Sequence, residues 1–244
     1  ELWLLVILIS GLSLVGYALT RWLGPGKGAL VTGFAGGLVA STAVTVSFAR
    51  EARTNPANTM AFASGILVAW SVMFVRVLVV VAVVNRELLG PIFAPVAAMA
   101  LVGGAAAALL YLRIHRDGRE ASAQGHLQVS NPFSVTSAVK FAAFFAVVLV
   151  AVKIAQDNFS ESGVYAVAAL AGLTDVDAIT LSMAELAKTG DVHVAVVAIV
   201  IATLVNTAVK CGIAFVLGGS ALGKPLLWAI LAMFAAGFAS VLLV

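Results

Sequence analysis

Apolar residues run along this chain in blocks of about twenty, separated by short polar punctuation, from Leu2 to the C-terminus. Eight blocks can be read, at 2–22, 28–50, 58–85, 91–112, 135–156, 163–187, 192–217 and 221–244. A helix of that length spans the roughly 30 Å of a bilayer's hydrocarbon. The prediction is an all-α fold, a polytopic transmembrane helical bundle. One long polar stretch, "RIHRDGREASAQGHLQVSNPF", interrupts the series. It divides the chain into a first membrane repeat at 1–113, a polar loop at 114–133 and a second membrane repeat at 134–244. Pro132 suits the first turn of the helix that follows.

The two halves share a pattern. "GLVASTAVTVSFA" (37–49) aligns without a gap to "GLTDVDAITLSMA" (172–184), with six of thirteen positions identical at an offset of 135. Downstream, Arg76 falls beside Lys210 and Gly90 beside Gly223. Each half then holds four segments. Duplicated membrane halves commonly place a site where discontinuous helices of the two repeats meet near the midplane. The second and sixth segments are the candidates, interrupted by Gly33, Gly36 and Gly37 in one and by Gly172 with "TDVD" in the other. Thr174 or Asp175 can cap a second half-helix there, as Ser41 can in the first repeat. Close helix packing through small residues is the plainer account of the glycines.

Topology turns on those two segments. Eight crossings make the halves parallel and divide the flanking Lys and Arg seven against five. Re-entry of the second and sixth segments makes the halves inverted and divides the same residues nine against three, as the positive-inside rule prefers. About 25 residues nevertheless make a helix of roughly 37 Å, long enough to cross. Eight crossings are the default expectation.

Composition agrees with a membrane chain. It has 244 residues, 62% hydrophobic and 10% charged, with mean hydropathy +1.12; a soluble domain carries roughly a quarter charged residues. The net charge of +3 fits Lys and Arg retained in cytoplasmic loops rather than a nucleic-acid partner. The single Cys211 excludes an internal disulfide framework. No cleavable signal peptide is evident, and a start at Glu1 without methionine leaves room for an upstream segment.

Ionisable residues inside the membrane carry the chemistry. A carboxylate near the bilayer centre costs about 2.5–3.5 kcal/mol on insertion scales unless it faces protein, water or a partner charge. Asp175 and Asp177 are two such groups, with Thr174, Thr180 and Ser182 around them. Across the repeat stand Ser41, Thr42, Thr45 and Ser47. Facing segments would then offer oxygen ligands, suited to hard cations such as magnesium or to a proton relay. Asp175 and Asp177 are the candidate metal ligands. Arg76 and Lys210 are the candidate charge partners, and Asn206 can orient a carboxylate. Buried acids and bases also pair simply to fix helix register. Arg76, Lys210 and half-helix N-termini could equally hold an anion. His115, His126 and His193 lack metal-ligand spacing, and no P-loop, dinucleotide or nucleophile-elbow fingerprint is present.

"GYALTRWLGPGKGALVTGFAGGLVASTAVTVSFAREA", "NPFSVTSAVKFAAFF", "AGLTDVDAITLSMAELA" and "LVNTAVKCGIAFVLGGSALGK" together resemble the domain of unknown function 4010 family of prokaryotic membrane proteins. The resemblance covers essentially the whole chain, and "GL-TDVDAIT" is its most specific piece. It implies an association with MgtC/SapB-type membrane domains and hence with magnesium or stress physiology. The leading expectation is a multi-pass inner-membrane transporter or channel for a small inorganic cation, with no resident cofactor and no enzymatic activity. A bound divalent cation would be its substrate. Its expected partners are the lipid bilayer, the ion and, in a homodimer, a second copy of the chain. The rivals are a non-transporting regulatory or scaffold subunit and an intramembrane enzyme acting on a lipid diphosphate.

Overall fold

Hydrocarbon offers no water to backbone N–H and C=O groups, so an apolar segment must satisfy them internally, which a helix does on its own. The computed structural model describes residues 2–23, 28–116, 135–159 and 161–241. Residues 117–134, most of the predicted polar loop, lie outside the described residues. Within them the chain is helical throughout and has no strand. The helices are α1 (Leu2–Leu23), α2 (Ala29–Thr54), α3 (Thr59–Val84), α4 (Arg86–Arg116), α5 (Val135–Asn158), α6 (Glu161–Gly172), α7 (Asp177–Leu186), α8 (Val192–Gly218) and α9 (Ser220–Val241). A 3-10 turn, Pro56–Asn58, leads into α3. Five of these, α2, α3 with its turn, α4, α8 and α9, are long and apolar enough to cross a membrane.

Length alone misleads for α2. Ala40 leaves the helical region, with φ −161° and ψ 100°, and the chain reverses there. On the first limb, a Cβ at Gly33 would meet the Gly65 carbonyl and one at Gly37 would meet the Ala69 backbone. That limb therefore climbs α3 in parallel. On the second limb, Thr45 Oγ1 accepts from Trp70 Nε1 at 3.0 Å. Further on, the Phe48 ring lies 5.5 Å from the Phe62 ring, centroid to centroid. The second limb thus descends α3. A straight helix with Gly33 beside Gly65 would carry Phe48 some 22 Å past it, yet Phe48 sits against Gly65. The crossing taken as the default for the second segment gives way to a hairpin, and the interruption expected near Gly33, Gly36 and Gly37 falls at Ala40. Two glycines make this possible, because helix backbones can approach so closely only where no side chain intervenes.

The sixth segment is also broken, between α6 and α7. Asp177 at the start of α7 lies beside Arg76, and Asn85 Nδ2, just past α3, donates to Ala184 O at 3.1 Å. So α7 runs from the middle of α3 toward its C-terminal end. Gly172, closing α6, presses on the Ala202 backbone of α8, as Gly37 presses on Ala69.

The remaining helices frame these two breaks. Asn85 turns α3 into α4, its Oδ1 accepting from the N–H groups of Glu87 and Leu88 at 3.1 and 3.3 Å. Asp191 caps α8 through the His193 and Val194 N–H groups. Gly219, at φ 78°, turns α8 into α9 in a conformation that side chains disfavour. Gly103 against Met233 and Gly237 against Met99 set α4 and α9 antiparallel. Trp70, Phe48 and Phe62 fill the seam between α2 and α3, and residues 177–184 of α7 are all buried.

Two outcomes are expected. In a Cys211→Ala background, cysteines at Gly28 and Thr54 should react with an impermeant maleimide from the same side of the membrane, and one at Lys188 from the other. Labelling of positions 28 and 54 from opposite sides would refute the hairpin. Gly37→Leu, which forces a side chain into the Ala69 backbone, should cost about 1–3 kcal/mol or more of stability. Gly104→Ala, with open space around it, should stay within roughly 0.5 kcal/mol of wild type in thermal unfolding.

Candidate functional site

The hairpin tip of α2 and the start of α7 meet between α3 and α8, and the intramembrane charges gather there. A helix end leaves carbonyls without intrahelical partners. At the end of the first α2 limb these fall to Arg76, whose Nη1 donates to Leu38 O at 3.0 Å and Val39 O at 3.2 Å. A cation is the favourable partner at a helix C-terminus. The other terminal nitrogen, Nη2, donates to Asp177 Oδ2 at 2.5 Å. Arg76 and Asp177 are both buried. One guanidinium thus closes a helix end in the first half of the chain and pairs with a helix start in the second.

Lys210 lies within α8, facing the other side of the α2 break. Its Nζ donates to Ser41 Oγ at 2.7 Å and lies 2.8 Å from Met73 Sδ. Ser41 follows Ala40 and opens the second α2 limb. An ammonium has three donors, and the third has no protein partner among the described residues. Asp175, Asp177 and Arg76 are all near enough for their charges to act on Lys210. Two acids and two bases therefore sum to zero in one buried cluster.

Asp175 is partly buried in the break, and its Oδ1 accepts from the Asp177 N–H at 2.7 Å. It satisfies the first orphan donor of α7, as the sequence reading allowed. Thr174 is exposed and caps nothing. Ser41 likewise is no cap, since Lys210 holds its hydroxyl. Asn206 does not orient a carboxylate; its Nδ2 donates to Gly172 O at 2.8 Å, closing the end of α6. The physical need is the same one that Arg76 meets at Leu38 and Val39.

Thr45 and Ser182 are committed to backbone carbonyls. Thr45 Oγ1 donates to Ser41 O at 2.9 Å while accepting from Trp70, and Ser182 Oγ donates to Ala178 O at 2.9 Å. Thr42 and Ser47 are half-buried on the second limb. Thr180 Oγ1 and Arg76 Nε are buried without a protein partner. Thr180 sits one turn beyond Asp177, on the same face, so both unmet atoms border the ion pair. Buried polar atoms in this condition ordinarily meet water or an ion. Among the described residues no three His, Cys, Asp or Glu side chains cluster to hold a metal.

Sequence reasoning placed Arg76, Lys210 and the two aspartates together but missed several contributors. Trp70, Met73 and the Leu38 and Val39 carbonyls are apolar residues or backbone, silent in a search for polar side chains. Trp70 alone left a signal, because an indole N–H in the middle of an apolar run needs an acceptor. Glu185 lies outside the cluster and pairs with Lys188 at 2.7 Å in a partly exposed position.

Residues 7–218 match the family described as domain of unknown function (DUF4010). An uncharacterized protein of Aquifex aeolicus (strain VF5) is 31% identical over 207 residues, which cover 81% of this chain and 86% of the relative. No solved structure matches. The chain belongs to the DUF4010 family.

Removing one member of the ion pair leaves a buried charge alone. Arg76→Leu is expected to lose about 3–5 kcal/mol of stability, seen as lowered thermal unfolding in detergent. Adding Asp177→Asn should recover part of that loss. Additive single and double variants would mean that the two groups are not coupled.

Proposed function

We propose that this chain is a membrane transporter of two inverted repeats, with its site where the α2 hairpin tip meets the start of α7. A small cation, in the simplest case a proton, competes there with Arg76 and Lys210 for Asp175 and Asp177. The observation that carries the reading is the meeting of two interrupted helices at a buried, charge-neutral cluster that still has unmet polar atoms.

Repeat symmetry supports it from independent positions. Gly37 and Gly172, which make the matching contacts on α3 and α8, stand 135 residues apart. So do Ala40 and Asp175, the two interruptions. Arg76 and Lys210, 134 residues apart, each reach across to the other half. In this reading α2 and the α6–α7 pair are both re-entrant, and each half crosses the membrane three times. The flanking Lys and Arg then divide nine against three, which puts the richer end in the cytoplasm of an inner membrane.

The chemistry favours a proton or a monovalent ion over a divalent metal. Magnesium demands near-octahedral oxygen coordination, whereas Asp177 is bound to a guanidinium and Asp175 to a backbone N–H. Neutralising Asp177 would remove its attraction for Arg76 and loosen the tie between the start of α7 and the break in α2, whose carbonyls the guanidinium still holds. That gives the cation different affinities for two arrangements of the tips, which is the requirement for coupling occupancy to a conformational change.

Purified protein in proteoliposomes tests this with a pH-sensitive dye and with sodium and magnesium flux. Wild type should carry protons or a monovalent cation, and Asp177→Asn should slow that flux by at least about tenfold, a change of roughly 1.4 kcal/mol. Glu185→Gln, away from the tips, should leave it unchanged. Absence of flux for every ion in folded wild-type protein would return the cluster to a purely structural role.

A further inference from the structure

A cavity lies away from the charge cluster, at the end of the bundle where α3 begins, α4 finishes and α9 begins. Its volume is about 720 Å³, within the range of ligand pockets, and its lining includes Asn58, Leu67, Leu109, Arg113, Trp228 and Ala232. The lining is ordered by polarity. Asn58 and Arg113 stand at the rim, and only apolar side chains follow inward. From Asn58 to Leu67 along α3 the groove descends roughly 13 Å, close to the ~15 Å hydrocarbon depth of one leaflet. Trp228, an exposed member of the lining, is of a residue type enriched at membrane interfaces.

The rim is the basic end of the molecule. Arg53 lies there, donating to Val216 O at 3.4 Å, and exposed Arg50, Arg116 and Lys224 share that end. Arg113 forms no ion pair among the described residues. A guanidinium above an apolar slot one leaflet deep matches a molecule with a phosphate above an acyl chain. Basic pockets between membrane helices take lipid headgroups in this way, and the fork of an arginine suits a phosphate's oxygens.

We propose that this groove is a binding site for one anionic phospholipid of the leaflet at the basic end, with its phosphate on Arg113 and Asn58 and an acyl chain lying between α4 and α9. The site is independent of ion transport. Its rim belongs to α3 and α4, so lipid occupancy bears on the scaffold against which the α2 hairpin packs.

Native mass spectrometry of the full chain, released from detergent with equal phosphatidylglycerol and phosphatidylcholine of the same acyl composition, tests it. Wild type should retain phosphatidylglycerol in preference by roughly tenfold, because the quaternary ammonium that phosphatidylcholine carries beside its phosphate is repelled by Arg113 and the neighbouring basic residues. Arg113→Glu should abolish the preference. Arg116→Glu, one turn away but outside the lining, should largely keep it. Ala232→Trp, which fills the slot from an exposed position, should reduce retention of both lipids. Equal retention of the two lipids by wild type would overturn the site, as would equal losses from Arg113→Glu and Arg116→Glu, which signal a diffuse field. A dimer with the groove closed in its interface, detected by cross-linking through position 228, would overturn it as well.

Discussion

A helix that stops inside hydrocarbon exposes carbonyls at one end and N–H groups at the other, and water cannot satisfy either. Arg76 resolves this for the break in α2. Its donors meet the carbonyls of Leu38 and Val39 and the carboxylate of Asp177 together. The hairpin can turn at Ala40 because that guanidinium is present, and α7 can begin in the membrane interior because Asp177 has a partner. The planar fork of arginine suits this bridging role. Lys210, a point charge, makes a compact contact with Ser41 and Met73 instead. Arg76 thus acts as a clamp across both breaks and Lys210 as an anchor on the second limb of α2.

Around this polar centre the packing is tight and built of small residues. Gly33 and Gly37 bring α2 onto the backbone of α3, and Gly172 brings α6 onto α8. Contacts of this kind gain from dispersion between closely fitted backbones, since lipid supplies little hydrophobic drive between helices.

Much of the candidate site was legible in the residues. Buried acids and bases are conspicuous in an apolar chain, and Arg76, Lys210, Asp175 and Asp177 were marked by cost alone. Asp175 also filled the capping role that its position suggested. Roles for Asn206, Ser41 and Thr174 were less well assigned, because each depends on which orphan backbone group lies within reach. Hydrophobic runs show that a segment lies in the membrane but not whether it passes through. For α2, 26 residues of suitable hydropathy fold back at a single extended alanine, a residue with no breaking signal of its own.

The sequence by itself determined that this is a helical membrane protein with charges retained at a cost in its interior, since composition and solvation energies decide both. Only the tertiary structure decided how those charges pair and that α2 reverses at Ala40. Both follow from side chains on α3 and α8 reaching broken backbone far away in the chain. Interactions between positions 38 and 76, or 41 and 210, leave no trace in local periodicity.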